Sequence, residues 1–289
     1  MRIGLLLIGL AAISWGTTGT TLVLLQRVVV MNPLVVGFWR MALAAPLLLF
    51  LSSRQPRRQL AQVNGLTYLG MGACIATYQV CYFAAVPLAG VAVTALVAIC
   101  SAPLFVALLA AWQLGERLTA RLYTALALGL TGTTLLISGP QFAIAPRFPI
   151  GVALALGSGL SYAAYAVIAK AQVAKTAPLQ VAALGFSAAA LWLLPAIALQ
   201  SSWADWWLAL PYLLYLGVIA TGIAYAIYMV GLLSVPVTVA SIATLLEPLT
   251  AALIGVWFFR EPLGSLGMVG AGLLVSAIAF VGATPGQYQ

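Results

Sequence analysis

Two oppositely charged residues, Arg40 and Glu247, lie inside apolar runs of this 289-residue chain. Glu247 lies about 15 Å along a helix that begins near residue 237, from the helical rise of about 1.5 Å per residue. A carboxylate at that depth must be neutral, paired or in contact with water. Arg40 is about 10 Å into its own run, and its side chain is long enough to reach the membrane interface. Together the charges predict a site for a ligand with an ammonium and a carboxylate group, whereas the alternative for Glu247 is a structural role beside Pro248.

Hydroxyl and phenol side chains recur at helical spacing in four other apolar runs. These residues are Ser14, Thr17, Thr18 and Thr21; Tyr78 and Tyr82; Ser158, Ser161, Tyr162 and Tyr165; and Thr221, Tyr225 and Tyr228. Small hydroxyl side chains commonly join membrane helices, whereas a phenol in the middle of a span needs a polar partner or water. We therefore predict a substrate cavity lined by Trp15, Thr18, Arg40, Tyr78, Tyr82, Tyr162, Tyr165, Tyr225 and Glu247.

Enzyme chemistry has little support in these residues. The chain has no histidine, which removes the commonest general base and metal ligand. The sequence shows no phosphate-binding glycine loop, no metal-ligand cluster and no nucleophile–base pair. We therefore expect no enzymatic activity, no cofactor and no metal, and we disfavour an intramembrane enzyme or a structural subunit. The net charge of +8 does not indicate nucleic acid, because the basic residues lie between apolar runs instead of forming a patch.

The composition is that of an all-α integral membrane protein, since 64% of the residues are hydrophobic and only 6% are charged. The apolar residues run continuously, which excludes a transmembrane barrel. Ten runs approach the roughly 20 residues that a membrane-spanning helix needs. They cover residues 3–25, 33–52, 65–86, 89–113, 121–139, 149–169, 178–199, 209–231, 237–258 and 265–283.

Residues 92–118 and 237–263 form an internal repeat with an offset of 145 positions. This offset aligns Pro103 with Pro248, Trp112 with Trp257, and Glu116 with Glu261. A repeat of this length predicts two units, which we assign to residues 1–140 and 148–289. Each unit holds five spans, an odd number, so the second unit enters the membrane from the opposite side. Inverted repeats around a central cavity are an architecture of transporters. Arg40 and Glu247 align with Gly185 and Ala102, so neither charge is repeated.

The orientation follows from the loop charges, because cytoplasmic loops are rich in lysine and arginine. A cytoplasmic N-terminus places eight basic residues inside and three outside. The inside set is Arg2, Arg54, Arg57, Arg58, Arg117, Arg121, Lys170 and Lys175, and the outside set is Arg27, Arg147 and Arg260. Both termini are therefore predicted to be cytoplasmic. The first span resembles a signal peptide at its start, but its apolar character continues to Leu25, which favours a retained helix.

Three further features concern the scaffold. Glu116 and Glu261 precede helix starts, where an acidic side chain complements the helix dipole, so we predict caps. Pro103 and Pro248 lack a backbone donor and favour kinks. Glycines in spans 5 and 10 permit close helix approach, either between the two halves or between two copies of the chain. They are Gly129, Gly132, Gly267, Gly270 and Gly272. The sequence leaves a monomer and a homodimer open.

Five short motifs resemble the EamA-type branch of the drug/metabolite transporter superfamily over the whole chain. They are Ser14-Trp15-Gly16, Phe38-Trp39-Arg40, Gly115-Glu116-Arg117-Leu118, Leu246-Glu247-Pro248 and Arg260-Glu261-Pro262-Leu263. Length and aromatic content are similar to those of YddG-like amino-acid exporters. The resemblance implies ten helices around a central cavity, alternating access and a bacterial inner-membrane location. One departure is the tail of residues 284–289, which has no basic residue.

The sequence thus predicts an exporter of small zwitterionic metabolites, with amino acids as the first choice and the lipid bilayer as its surroundings. A multidrug or cationic-compound exporter is the main alternative, because one buried carboxylate among aromatic rings suits a lipophilic cation. A nucleotide-sugar-type exchanger is a weaker alternative. The energy source stays open between proton antiport at Glu247 and facilitated diffusion.

Overall fold

A computed structural model describes residues 1–54, 64–137, 147–258, 260 and 264–282. The described residues are helical or form turns and short connections, and none of them lies in a β-strand. The helices are α1 (Arg2–Gly16), α2 (Thr18–Val28), α3 (Pro33–Ser53), α4 (Gly65–Ala89), α5 (Val91–Leu114), α6 (Ala120–Ile137), α7 (Phe148–Val173), α8 (Pro178–Leu193), α9 (Trp206–Leu214), α10 (Ala224–Leu232), α11 (Val237–Ala243), α12 (Leu246–Phe258) and α13 (Ser265–Gly282). A 3₁₀ segment, Leu194–Leu199, extends α8, and a π-helical segment, Tyr215–Ile223, joins α9 to α10.

Eight of the predicted spans are long and apolar enough to cross a bilayer, with 21 to 27 residues each. The all-α membrane class is therefore confirmed. The other two predicted spans coincide with α6 and α13, which are not among the eight, so ten crossings remain a prediction. Large apolar side chains lie on the outer surface, as a lipid environment allows. Trp112 and Trp257, which the internal repeat aligns, are 79% and 84% exposed.

Besides the seventh span, which ends in the 3₁₀ segment, three of the spans are not regular α-helices. The first span is interrupted at Thr17, between α1 and α2, although its sequence predicts one continuous run. The ninth span is interrupted at residues 244–245, between α11 and α12, and Pro248 then lies in the first turn of α12, where a missing backbone donor costs least. The eighth span contains the π-helical segment. By contrast, α5 continues without interruption through Pro103, so the two aligned prolines have different effects.

The two halves of the chain pack against each other along most of their helices. The main contacts between them are α3 with α8, α4 with α7, α4 with α8, α5 with α7, α1 with α10, and α6 with α13. At the α6–α13 contact a Cβ on Gly132 would lie 2.8 Å from the carbonyl oxygen of Gly270. A Cβ on Gly270 would in turn lie 2.6 Å from the carbonyl oxygen of Gly132. These two glycines therefore serve an internal contact between the halves, whereas Gly272 has open space around it.

One end of the bundle is held together by polar contacts from Glu116 and Lys170. Glu116, in the connection between α5 and α6, accepts hydrogen bonds from the backbone N–H groups of Val237 and Thr238. It therefore caps α11 of the second half, and not the helix that follows it in sequence. Lys170 donates to the carbonyl oxygens of Leu232 and Val235, at the end of α10 and just beyond it.

Some residues named in the sequence analysis lie outside the described residues. They are Arg57, Arg58, Glu261, Pro262, Leu263 and the tail 284–289.

Candidate functional site

A cavity of about 640 Å³ occupies the end of the bundle opposite to Glu116. Pro33 and Val91, the first residues of α3 and α5, line it together with Val256 near the end of α12. Its deeper wall includes Trp15 and Glu247. The cavity thus reaches from the middle of the bundle toward the end where α2 connects to α3 and α4 connects to α5.

Two smaller cavities share lining residues with the main one. The first, of about 90 Å³, is called the polar recess here and is lined by Trp15, Thr18, Arg40, Met41, Ile75, Tyr78, Gln79, Tyr162, Tyr165, Tyr225 and Glu247. The second, of about 100 Å³, lies between Tyr82, Tyr162 and Pro103. All nine residues that the sequence analysis selected line at least one of these three cavities. Their role in binding a substrate stays a prediction.

Arg40 is held in place by the irregular helix of the eighth span. Its Nε donates a hydrogen bond of 3.2 Å to Oγ1 of Thr221. Thr221 Oγ1 in turn donates to the carbonyl oxygen of Leu216, at 2.7 Å, within the π-helical segment. Such widened turns frequently occur at functional sites. Arg40 therefore lies at the cavity wall, and part of its guanidinium is bonded to the eighth span.

The opposite end of the π-helical segment contacts the interruption of the first span. The hydroxyl groups of Tyr215 and Thr17 lie 2.8 Å apart. Because Thr17 Oγ1 also lies 2.7 Å from the carbonyl oxygen of Ser14, to which it donates, Tyr215 is the donor to Thr17. The π-helical segment thus connects the break in the first span to Arg40 on α3.

Glu247 lies in the first turn of α12 because α11 and α12 are separate helices. At that position the positive end of the helix dipole stabilises a carboxylate. Within the described part of the chain, its carboxylate makes no hydrogen bond. The backbone N–H groups at the break form main-chain hydrogen bonds instead, from Glu247 N to Thr244 O and from Leu245 N to Ile242 O. The carboxylate thus lines the cavity without bonding to the backbone at the break.

Aromatic rings form the floor of the site. Trp15 packs on Tyr225 and Tyr228, with ring centroids 4.6 and 5.3 Å apart. Tyr225 also contacts Tyr165, at 6.1 Å. Tyr78 extends the cluster, with centroids 6.0 Å from Tyr162 and 6.3 Å from Tyr82. These rings thus form one connected cluster at the deep end of the main cavity.

The hydroxyl residues of the predicted faces have different roles. Ser158 Oγ donates to the carbonyl oxygen of Tyr78 and so joins α7 to α4, as expected of a hydroxyl between membrane helices. Thr21 Oγ1 donates to the carbonyl oxygen of Thr17, one helical turn earlier in the same span. Thr18 Oγ1, in contrast, is buried at the polar recess and has no hydrogen-bond partner among the described residues.

Gln79 also lines the site, although it is not among the residues predicted from the sequence. Its side chain is 3% exposed, lines both the main cavity and the polar recess, and leaves both amide atoms unbonded within the described residues. A signal was present in the sequence, because Gln79 is an amide in the middle of an apolar run, directly after Tyr78. The prediction of cavity residues used charges and phenols and did not include amides.

A helical membrane protein with an internal, partly polar cavity that extends toward one end has the architecture of a transporter. This chain belongs to the EamA-like transporter family, whose model matches residues 2–138 and again residues 149–283. The resemblance to EamA-type transporters is therefore confirmed, and the protein is a membrane transporter of that family.

Several known proteins are similar to it. The uncharacterized transporter YwfM of Bacillus subtilis is 34% identical over 281 residues, covering 96% of this chain and 92% of YwfM. The threonine/homoserine exporter RhtA of Escherichia coli K12 is 32% identical over 128 residues, covering 44% of this chain and 43% of RhtA. A protein of known crystal structure shares the fold, with a TM-score of 0.78 and 23% identity over 95% of this chain and 94% of its own.

Proposed function

We propose that this transporter exports amino acids or related small zwitterionic metabolites by alternating access. The observation that carries the proposal is that Arg40 and Glu247, the two unrepeated charges of the spans, line the same cavity. Arg40 would bind the carboxylate of the substrate through its remaining N–H groups, and Glu247 would bind the ammonium group. The similarity to RhtA, an exporter of threonine and homoserine, favours the same substrate class.

The proposal includes ten membrane crossings in two inverted repeats, residues 1–140 and 148–289. The offset of 145 positions exchanges α3 with α8 and α6 with α13, and both of these are contacting pairs. The same offset maps α4 onto the eighth span and α7 onto the first span. The contact of α4 with α7 therefore has a counterpart in the contact of α10 with α1. These matched contacts support a pseudo-twofold arrangement, in which the odd number of spans inverts the second unit.

The proposal also assigns the orientation in a bacterial inner membrane. With both termini in the cytoplasm, the Glu116 end faces inward and the cavity faces outward. The basic loops support this orientation, because arginine and lysine concentrate at the Glu116 end. The conformation described here would then be outward-facing, with the aromatic floor and the Glu116 contacts closing the cytoplasmic side.

A cationic-compound exporter is the second candidate. The observation in its favour is the unbonded carboxylate of Glu247 beside Trp15 and Tyr78, since an aromatic face and a carboxylate both attract a cation. Arg40 weighs against it, because a guanidinium on the same cavity repels a cationic ligand. The amino-acid proposal uses both charges and is preferred.

Purified protein in liposomes loaded with a mixture of radiolabelled amino acids tests the proposal. We expect efflux of at least one amino acid from these liposomes and none from protein-free liposomes. Repeating the assay with an imposed pH gradient separates facilitated diffusion from proton antiport at Glu247. Efflux of a quaternary ammonium compound, with none of any amino acid, would replace the proposal with the cationic-compound candidate.

A further inference from the structure

Gln79 on α4 presents a buried but unbonded amide to the cavity. Both Oε1 and Nε2 lack a hydrogen-bond partner among the described residues, although the side chain is only 3% exposed. Buried polar groups in native proteins are nearly always bonded to protein, to ordered water or to a ligand. Gln79 lines the main cavity and the polar recess, so a ligand in either can reach it.

The backbone of α3 fixes where the Gln79 amide lies. A Cβ placed on Gly37 would overlap Oε1 of Gln79, so the amide occupies the space that the missing side chain leaves. Gly37 and Arg40 are three residues apart on α3 and therefore share one face of that helix. The amide of Gln79 is thus held on the same wall of the recess as the Arg40 guanidinium.

Other unbonded polar atoms surround the polar recess. Trp15 Nε1 and Thr18 Oγ1 are buried without hydrogen-bond partners in the described chain, and so is the hydroxyl of Tyr165. All three residues line the recess, together with Arg40 and Glu247. The recess therefore offers several hydrogen-bond donors, at least two acceptors and one charge of each sign, within about 90 Å³.

We propose that Gln79 is a substrate-binding residue that completes a site for the head group of a free amino acid in the polar recess. Nε2 of Gln79 donates to the carboxylate, which Arg40 also binds, while Oε1 accepts from the ammonium group, which Glu247 also binds. The side chain of the amino acid then extends into the main cavity. This inference rests on the proposed function and adds a specificity-determining residue to it.

The two charges at the recess define the class of substrate further. Arg40 and Glu247 both line it, so a ligand that keeps a free carboxylate and a free ammonium group can pair with each of them. An acyl group on the nitrogen or an ester on the carboxylate removes one of these charges from the ligand. We therefore expect N-acyl amino acids and amino-acid esters, which each lack one of the two charges, to bind more weakly than the free amino acid.

The test uses full-length purified protein and the amino acid that wild-type protein exports fastest from the mixed liposomes. Equilibrium binding of that labelled amino acid is compared in wild type, Gln79→Leu and Gln79→Glu. Thr94→Val is the matched control, because Thr94 Oγ1 is equally buried and unbonded but lines none of the three cavities. Gln113→Leu controls for removal of an exposed amide at the end of α5.

We expect Gln79→Leu to weaken binding about tenfold, a loss typical of hydrogen bonds to charged groups, and both controls to bind like wild type. The N-acetyl derivative and the methyl ester should compete at least about tenfold more weakly than the free amino acid. If Gln79→Leu does not fold, Gln79→Glu, which keeps the size but repels a carboxylate, must show the loss by itself. Wild-type affinity in whichever Gln79 variants fold, or equal competition by the derivatives, would overturn the inference while leaving amino-acid export intact. Absence of any amino-acid efflux from wild type would overturn the proposed function itself.

Discussion

Glu116 and Val237 are joined by a hydrogen bond of 2.7 Å, from the first backbone N–H of α11 to the carboxylate Oε1. The second carboxylate oxygen accepts from Thr238, through both its backbone N–H and its hydroxyl. One side chain of the first half thus caps a helix of the second half. Because α11 leads to the break before Glu247, this cap anchors the half-helix whose other end forms the site.

Replacing Glu116 by alanine should lower the free energy of unfolding by about 1–2 kcal/mol, because cap residues contribute on that scale. It should also loosen the Glu116 end of the bundle. Thermal unfolding in detergent measures the first effect. Labelling of a cysteine placed at Val235, in a background without the native cysteines, measures the second. Arg117→Ala, at an exposed neighbour, is the control. Unchanged labelling would show that the cap does not help to close this end.

Replacing Thr221 by valine should impair substrate binding by about tenfold, because hydrogen bonds to charged groups are worth about 1.5–3 kcal/mol. The substitution keeps the shape of the side chain but removes the acceptor for Arg40 and the bond to Leu216. The concentration dependence of transport in liposomes is the measurement. Thr124→Val is matched, since Thr124 also bonds to its own helix but lies on α6, away from the cavities. Equal effects of the two substitutions would assign the loss to helix stability instead of to Arg40.

Glu247→Gln should reduce amino-acid transport by at least about tenfold, since it removes the charge that faces the ammonium group. The amide is isosteric, and the carboxylate makes no hydrogen bond to the described chain, so the fold should persist. Asp205→Asn provides a matched loss of negative charge at an exposed position. Wild-type transport in Glu247→Gln and also in Arg40→Ala would rule out the two charges as the substrate-binding pair.

Gly132→Ala should destabilise the protein by about 1–3 kcal/mol, the usual cost of overpacking. The added Cβ would meet backbone atoms of Gly270 and Leu274 at 2.8 Å, and backbone cannot move aside as a flexible side chain can. Gly272→Ala on α13 should be tolerated, because nothing lies within 4 Å of its Cβ position. Comparison of the two unfolding temperatures in detergent is the measurement. Similar temperatures would mean that α6 and α13 can separate without cost.

Much of this arrangement follows from patterns that a sequence displays directly. Apolar runs indicate membrane helices because the bilayer tolerates few other structures. The eight helices that are long and apolar enough to cross it lie within a few residues of their predicted bounds. Helical periodicity predicts the hydroxyl and phenol residues of the cavity, since it places Tyr78 and Tyr82 on one face, and charge within an apolar run predicts Arg40 and Glu247. These features depend only on local spacing and on the properties of the lipid.

Other features depend on contacts between distant parts of the chain. The break before Glu247 and the unbroken helix at Pro103 follow from different surroundings of two aligned prolines. Glu116 caps a helix whose first residue, Val237, lies 121 positions further along the chain. The sequence shows Gln79 as an amide inside an apolar run, but its burial and its lack of a partner among the described residues depend on the packing of several helices. No local pattern reports such long-range relationships.

The exposed pair Trp112 and Trp257 has a consequence for the surroundings of the protein. Tryptophan favours the headgroup region of a bilayer, and the two side chains end α5 and α12 at opposite ends of the bundle. Each leaflet would then hold one of them, so the axial distance between the two rings fixes the hydrocarbon thickness that suits the transporter best. In the proposed inverted arrangement, a thinner or thicker bilayer would act on equivalent positions of the two halves, because each half meets the hydrophobic mismatch at its own tryptophan. Lipid chain length should accordingly modulate transport without favouring either half.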